Sequence, residues 1–216
     1  MISSDCHAGA LPEGYKPYLP KEFHAAADAW WLDYAREMMR RMGTFFDQEA
    51  AEEFNSRSGD QGAGRMDPTA ASKAAVATDA ELWDYLCDPD SIIAPRRGEY
   101  EPDTRLQELE DDGIAGEIIF PQMAPFGAGL MQYRHEVTPQ QSLAGNRAYN
   151  HWLADLCNKN PGRHAGVAII NVDDIDVTVN EIREAHKMGL FGGVLLPTST
   201  GPNPFYHDYR RYEPIW

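Results

Sequence analysis

The sequence is poor in basic residues and lacks long apolar runs, and each shortage excludes a class of protein. Its 216 residues hold 19 Lys and Arg against 34 Asp and Glu, a formal net charge of −15. Such a chain repels phosphate backbones and anionic lipid surfaces, so we expect no nucleic-acid partner and no membrane partner. No run approaches the roughly 18 to 20 apolar residues of a membrane-spanning helix, and the first residues do not resemble a secretory signal peptide.

Cysteine is scarce as well. Cys6, Cys87 and Cys157 are odd in number and far apart. They fit reduced thiols in the cytoplasm better than a disulfide framework, and their spacing is not that of a zinc ribbon. Walker and serine nucleophile-elbow motifs are also absent from the sequence. We therefore expect a soluble cytoplasmic protein, and its 43% hydrophobic and 25% charged residues are typical of a globular domain.

What the chain does contain is an alternation of apolar segments with helical patterns. Strands are predicted at 2–4, 114–120, 165–170 and 191–196, with helices at 103–112, 138–159 and 173–188 between the later ones. This alternation predicts right-handed crossovers and a parallel sheet, hence the α/β class. The near-continuous apolar character of 114–120 predicts a strand that is buried on both faces.

Residues 9–101 look like a long, mostly helical insertion after the first strand. A helix is predicted from 23 to about 42, then a shorter helix over 45–54 and another over 79–87, capped by Thr78. Between them, 55–68 is rich in Gly, Ser, Asp and Arg and is a candidate lid loop. At the other end of the chain, Pro214 lies at a first-turn position, which predicts that another helix begins there.

Asp5 and His7 are the strongest candidates for chemistry. They lie at the carboxyl end of the first strand, and strand alternation points both side chains to the same side. One oxygen and one nitrogen ligand could bind a metal there, although an aspartate that only orients the imidazole fits equally well. Cys6, between them, should face the other way and is more simply a buried structural cysteine.

Other polar residues follow the later strands. Ligands of parallel α/β folds bind at these strand ends, so Gln122, Asn171 and Thr198 are candidate substrate-binding residues. The simpler alternative, which the residue types favour for Asn171 and Thr198, is that they only turn the chain into the next loop. Glu117, within an apolar strand, requires either a basic partner or a bulge. Of the remaining histidines, His186 is most simply a packed or half-exposed helix residue. The others are more simply surface residues than ligands: His24, His135, His151, His164 and His207.

Taken together, these segments resemble the metal-dependent amidohydrolase-related family, in the branch that includes aminocarboxymuconate-semialdehyde decarboxylase and the resorcylate-type decarboxylases. The resemblance follows the family's order over nearly the whole chain. It lies in the opening ISSDCH, RLQELEDDGIAGEIIFP over 105–121, NRAYNHWLADLC over 146–157, PGRHAGVAIIN, GLFGGVLLP and the closing YEPIW.

This resemblance implies a TIM (β/α)₈ barrel with one divalent metal ion, zinc or alternatively manganese, at its C-terminal mouth. Asp5 and His7 would be first-strand ligands, with an acidic residue where other members have their first His. The chain would be the N-terminal half of the barrel, 1–216, with about four βα units and the insertion 9–101. The family's other ligands and its catalytic base would lie beyond Trp216.

The resemblance implies a hydrolase that acts on a small carboxylate- or amide-bearing substrate through metal-activated water. Non-oxidative decarboxylation, a carbon–carbon lyase reaction, is the alternative within the same family. A non-catalytic half-barrel that serves as an interaction module is the alternative from another class. As partners we expect a small-molecule substrate, and a second copy or a second polypeptide that completes the barrel.

Overall fold

The computed structural model describes residues 1–45, 52–53, 56, 69–88, 91, 93–127, 137–196 and 208–216. It contains one parallel sheet with strand order β1-β2-β3-β4. The strands are β1 (Ile2–Ala8), β2 (Gly116–Pro121), β3 (His164–Ile169) and β4 (Gly193–Leu195). The α/β class and the parallel sheet that the sequence predicts are therefore confirmed.

Helices connect the strands. In the described parts of the chain between β1 and β2, the helices are α1 (Pro12–Tyr15), α2 (His24–Phe45), α3 (Ala70–Val76), α4 (Asp79–Cys87), α5 (Arg97–Tyr100) and α6 (Pro102–Asp111). Those that follow are α7 (Pro139–Cys157), α8 (Ile175–Lys187) and α9 (Tyr209–Tyr212). Short 3₁₀ segments lie at Lys16–Tyr18, Lys21–Phe23, Pro125–Gly127 and Glu213–Ile215.

The order of the strands bears on the type of α/β fold. Strands that are consecutive in the chain are neighbours in the sheet throughout, with helical crossovers between them. A doubly wound sheet reverses its strand order at one point, whereas the strands of a (β/α)₈ barrel keep it. The described sheet fits part of such a barrel.

Local signals set the helix starts. Thr138 Oγ1 accepts a hydrogen bond from Gln141 N at 3.2 Å, and Gln141 Oε1 accepts one from Thr138 N at 2.9 Å. Thr78 and Glu81 form the same reciprocal cap on α4. Each box satisfies backbone N–H groups that have no partner within the helix, which explains why the sequence alone located these starts.

Some boundaries differ from the sequence expectations. Helix α6 starts at Pro102, one residue before the predicted Asp103, because proline suits the first helical position. The chain becomes helical at Tyr209, before the predicted start near Pro214, since Asp208 Oδ1 accepts the N–H of Arg211 at 3.3 Å. The predicted helix 45–54 and lid loop 55–68 lie outside the described residues, apart from residues 45, 52, 53 and 56.

The predicted burial of the second strand on both faces is wrong for the described structure. In β2, buried residues (Glu117, Ile119 and Pro121) alternate with half-buried ones (Gly116, Ile118 and Phe120). Ile119 belongs to the main core, together with residues of α2 and α7. Helices therefore cover one face of the sheet, and the opposite face stays partly open among the described residues.

Aromatic side chains fill the core between α2 and α7. Trp30, Trp31 and Tyr34 of α2 pack ring against ring, with centroids 4.8 to 5.7 Å apart. Helix α7 approaches the 3₁₀ turn Pro125–Gly127 closely, since a Cβ on Gly145 would lie 2.1 Å from the Pro125 carbonyl oxygen.

No helix in the described ranges is long and apolar enough to cross a membrane.

Candidate metal and substrate site

Asp5 and His7 lie within β1, on the partly open face of the sheet. Their side chains approach each other, with His7 Nε2 3.4 Å from Asp5 Oδ1. The Asp5 side chain is 85% exposed and that of His7 is 31% exposed, so both remain accessible from solvent. The His7 ring also lies beside Phe120 of β2, with centroids 6.2 Å apart. The pair thus offers a carboxylate oxygen and an imidazole nitrogen to one point on this face.

A register shift in β1 sets this arrangement. Ser3 pairs with Glu117 and Cys6 pairs with Ile119, so β1 holds one extra residue between the two pairs. Such a bulge changes which side chains share a face. Ser3 and Cys6, which alternation would place on opposite faces, come together, and Cys6 Sγ donates to Ser3 Oγ at 3.0 Å. Cys6 therefore lies on the covered face, away from Asp5 and His7, as its position in the sequence predicts.

The donors near His7 form only part of a metal site. Among the described residues, no group of three or more His, Cys, Asp or Glu side chains could hold a metal ion. The Nδ1 atom of His7 is buried and has no hydrogen-bond partner in that part of the chain. A metal-binding histidine usually donates from its second nitrogen to a carboxylate or carbonyl, and that support is not present here. Asp5 and His7 therefore fit the role of two metal ligands, and the described residues do not complete the ligand set.

Beneath the pair, the covered face holds a buried charge cluster. Glu117 of β2 accepts two hydrogen bonds from Arg105 of α6, at 2.5 and 2.8 Å, and His164 Nδ1 of β3 lies 2.8 Å from Glu117 Oε1. All three side chains are at most 7% exposed. The sequence predicts a basic partner or a bulge at Glu117, and the structure provides the basic partner, Arg105.

Electrostatics keep Glu117 ionised. Burial of its carboxyl group favours the neutral form, but hydrogen bonds from His164 and Arg105 outweigh that effect and lower the pKa to about 2. Because an ionised carboxylate only accepts hydrogen bonds, His164 must donate from Nδ1. The cluster is therefore a paired, structural charge, and the expectation that His164 is a surface residue is wrong.

Arg105 joins this cluster to the candidate site. Its Nη1 donates to the carbonyl oxygens of His7, at 3.1 Å, and of Gly98, at 2.8 Å. One guanidinium group thus ties the end of β1 to α5 and to β2. Sequence reasoning missed Arg105 because its partners lie far from it along the chain, and only the charge of Glu117 within an apolar strand hinted at it.

A cavity of about 540 Å³ opens at the carboxyl ends of β1 and β2. Gly9 and Ala10 follow β1 at its edge, and Gln122 and Met123 follow β2. Gly9 permits a close approach here, since a Cβ on it would lie 3.1 Å from the Cβ of Gln122. Parallel α/β folds bind ligands at this edge, and Gln122, a candidate from the sequence, is exposed there. Asp5 and His7 are not among the lining residues.

Neither of the other two strand-end candidates, Asn171 and Thr198, is among the described residues that line this cavity. Asn171 follows β3 and lies against α7, where its Oδ1 accepts from Asn146 Nδ2 at 2.5 Å and its Nδ2 donates to Ser142 Oγ at 3.2 Å. Its amide thus bonds to the helix that precedes its strand. Thr198 lies outside the described residues, and its role in substrate binding stays a prediction.

Comparison with known proteins gives one partial similarity. Gamma-resorcylate decarboxylase of Rhodococcus jostii (strain RHA1) is 32% identical over 77 residues, which cover 32% of this chain and 23% of that protein. The match spans about a quarter of the relative's length. It supports a relationship with the amidohydrolase-related family at the broad level, and the relative is an enzyme. No protein-family model matches the chain, and no solved structure matches it.

Proposed function

We propose that this chain contributes the first-strand metal ligands of an amidohydrolase-related, metal-dependent enzyme. The observation that carries the proposal is the pair of Asp5 Oδ1 and His7 Nε2, 3.4 Å apart on the partly open face of a parallel sheet. Carboxylate oxygen and imidazole nitrogen are ligands of zinc, the first choice here, with manganese as the alternative. The partial similarity to a decarboxylase supports the same class of enzyme.

Within this proposal each residue has a defined task. Asp5 and His7 hold one divalent ion together with ligands from outside the described residues, and the ion supplies Lewis acidity at this face of the sheet. Arg105 holds the backbone of His7 in place through its carbonyl oxygen. The exposed amide of Gln122 binds polar groups of a substrate at the carboxyl edge, with Asn171 and Thr198 as the other proposed contacts. The group that moves the proton is not assigned to any described residue.

Hydrolysis is the first candidate reaction. Water adds to the carbonyl carbon of a small amide, the C–N bond breaks, and the amine leaves with a proton while the acid keeps the oxygen of the water. Such a reaction needs a polarised carbonyl group and an activated water, which metal sites with carboxylate and imidazole ligands provide.

Non-oxidative decarboxylation is an equally good candidate reaction. The observation that favours it is the partial similarity to a protein named as a decarboxylase. In this reaction the bond between the carboxylate carbon and its neighbour breaks, CO₂ leaves, and the remaining carbon keeps the electron pair and takes up a proton. No oxidant or reductant is consumed. The substrate of this reaction is a small carboxylate, consistent with the polar edge at Gln122.

Metal uptake tests the proposal directly. The purified chain is dialysed against Zn²⁺ or Mn²⁺ and its metal content is measured, beside Asp5→Asn, His7→Gln and the control His186→Gln. His186 is an exposed histidine of α8 whose ring lies against Phe191. We expect binding to weaken at least about tenfold in both site variants, as is typical when a ligand or its support is lost, and to be unchanged in the control. Equal uptake by all four chains would refute the assignment.

A reaction assay then separates the two chemistries. The metal-loaded chain is incubated with γ-resorcylate, the compound in the relative's name, and with an N-acetyl amino acid. Release of CO₂ from the first identifies decarboxylation, and release of free amine from the second identifies hydrolysis. In either case the activity should disappear in His7→Gln and persist in His186→Gln.

A further inference from the structure

A second cavity, of about 410 Å³, opens where four segments of the chain meet beside α7. Its walls come from the 3₁₀ segment that ends at Tyr18, from the end of α5, from the start of α6, and from the last turns of α7 with the residues that follow it. This volume is within the range of small-molecule sites. None of the described residues that line it also lines the cavity at the carboxyl ends of β1 and β2.

Three aromatic side chains form part of the wall of this second cavity: Tyr18, Tyr100 and Trp152. Trp152 is 7% exposed, and its ring lies against those of Tyr15 and Tyr149, with centroids 5.5 and 5.6 Å away. Tyr18 and Tyr100 are half-buried. The face of an aromatic ring carries negative charge density, which attracts a cation within about 6 Å of the ring centre. The aromatic wall therefore favours a cation over an anion.

A carboxylate lies in the same wall. Asp155 Oδ2 accepts the hydroxyl group of Tyr18 at 2.6 Å, which fixes the carboxylate and the ring relative to each other. Asp155 Oδ1 has no hydrogen-bond partner in the part of the chain that the structure describes. The ring of Tyr18 also stacks with that of His151, with 8° between their planes and 6.5 Å between their centroids. One carboxylate oxygen is thus held beside an aromatic ring and is available to a ligand.

The charges around this cavity also favour a cation. Burial and the hydrogen bond to Asp155 raise the pKa of Tyr18 to about 12, while burial and the charge of Glu101 raise the pKa of Tyr100. Each phenol therefore lies in the field of a carboxylate. Lys159 is the one basic residue among the described residues that line the cavity. It is exposed, so its ammonium group can extend into water.

We propose that this second cavity binds a quaternary ammonium group, with its methyl groups against the three aromatic side chains and its charge beside Asp155. A primary ammonium group has three N–H donors that need acceptors, whereas a quaternary one has none and can rest its methyl groups on ring faces. The carboxylate supplies the opposite charge. This inference does not rest on the proposed metal chemistry, because Asp5 and His7 do not line this cavity.

The test uses two probes of the same shape, choline and 3,3-dimethyl-1-butanol. The second has a carbon atom in place of the charged nitrogen, so the two differ in charge alone. Their dissociation constants for the full chain are measured by ligand-observed NMR titration at neutral pH and low salt, with a chelator present so that no metal contributes. We expect choline to bind at least about tenfold more tightly, as cation–π contacts with a partly desolvated cation allow.

Asp155→Asn tests the role of the carboxylate. The amide oxygen can still accept the hydroxyl group of Tyr18, but the charge is lost, so most of the preference for choline should disappear. Asp176→Asn removes the same charge from an exposed position of α8 that does not line the cavity, and it should keep the preference. Circular dichroism checks that both variants are folded.

Tyr18→Leu and Tyr18→Phe test the role of the aromatic wall. Both variants lose the hydrogen bond to Asp155, but only the leucine removes the ring. We expect Tyr18→Leu to bind choline at least about threefold more weakly than Tyr18→Phe, since one cation–π contact is lost.

Four results would overturn the proposal: no binding of choline, equal affinities for the two probes in the unmodified chain, an unchanged preference in Asp155→Asn, or equal affinities for choline in the two Tyr18 variants. The first two are measured on the natural sequence and are therefore decisive even if a variant fails to fold. Metal uptake by Asp5 and His7 could succeed or fail independently of all four.

Discussion

The guanidinium group of Arg105 donates from Nε to Glu117 Oε1 at 2.5 Å and from Nη2 to Glu117 Oε2 at 2.8 Å, inside the covered face of the sheet. This bidentate pair leaves Nη1 for the carbonyl oxygens of His7 and Gly98. The fork of the guanidinium group thus links α6 to β2, to the end of β1 and to α5. The pair therefore matters both for stability and for the position of His7.

Arg105→Met should destabilise the protein strongly. Loss of the guanidinium group leaves Glu117 buried without its main partner, a change that costs about 3 to 5 kcal/mol when a buried pair is broken. Urea unfolding followed by circular dichroism measures the loss. Arg40→Met is the control, because Arg40 is 58% exposed and pairs with Glu37 at the surface, where ion pairs contribute little to stability.

The double variant Arg105→Met, Glu117→Leu tests why Arg105→Met loses stability. If the loss arises from an uncompensated buried charge, removal of the carboxylate should recover much of the stability. A double variant as unstable as the sum of the two single variants would instead mean that packing, and not charge, is responsible.

Stability should depend on pH in acid because of Glu117. Its pKa is 4.5 ordinarily and about 2 in the folded protein, since hydrogen bonds from His164 and Arg105 outweigh the effect of burial. A lowered pKa contributes stability above pH 4.5, and that contribution is lost as the pH falls from 4.5 toward 2. Urea titrations across this window should show a steeper decline for the natural chain than for Glu117→Gln. Parallel curves would contradict the assignment.

Tyr15 should be more important to stability than its position in a four-residue helix suggests. Its hydroxyl group donates to the Met123 carbonyl at 2.7 Å and accepts from Ala10 N at 2.8 Å, which joins the segments after β1 and β2. Tyr15→Phe leaves two buried backbone groups without partners. We expect the free energy of unfolding to fall by about 2 to 4 kcal/mol, measured by thermal or urea unfolding. Tyr18→Phe, which removes only a bond to exposed Asp155, should cost less than about 1 kcal/mol.

Gly145→Ala should destabilise the protein. This is the opposite of the usual effect, because alanine in a helix interior is normally more stable than glycine by roughly 1 kcal/mol. The added Cβ would lie 2.1 Å from the Pro125 carbonyl oxygen, so α7 must move away from the 3₁₀ turn. We expect a loss of about 1 to 3 kcal/mol. Gln140→Ala, at an exposed position of the same helix, serves as the control in urea unfolding. A stabilised Gly145→Ala would show that the two segments are farther apart.

The three cysteines should react at different rates. Burial raises the pKa of Cys157 to about 12, whereas Cys6 and Cys87 are only half-buried, with pKa values raised by partial burial. Because the thiolate is the reactive form, a disulfide reagent at pH 8 should modify Cys6 and Cys87 slowly and Cys157 only after unfolding. Mass spectrometry of peptides from the native and the denatured chain identifies the modified positions. Native labelling of Cys157 at the rate of Cys87 would contradict this order.

Much of the fold could be predicted because its signals are local. The boxes at Thr78 and Thr138 mark helix starts within four residues, and the apolar stripe of α2 repeats every three or four residues. Alternation of strands and helices was enough to predict a parallel sheet. The D-x-H triplet placed Asp5 and His7 on one side of a strand, and the structure brings the two side chains within 3.4 Å.

Other features had no local signal. The burial of His164 depends on Glu117 of the neighbouring strand, and Asp155 meets Tyr18 only because α7 packs against the 3₁₀ segment Lys16–Tyr18. The second strand has an apolar sequence typical of burial on both faces, yet the described helices cover only one of them. Which face is covered depends on elements distant in the chain.

The residues alone indicated the α/β class, most helix starts, the shared side of Asp5 and His7, and the need of Glu117 for a partner. The packed structure supplied the partners themselves: Arg105 and His164 for Glu117, the bulge that turns Cys6 toward Ser3, and the cavity beside Asp155. The physical reason is the separation along the chain of the residues that interact. Caps and periodicities involve neighbours in the chain, whereas the free energy of a buried charge depends on atoms that only folding brings together.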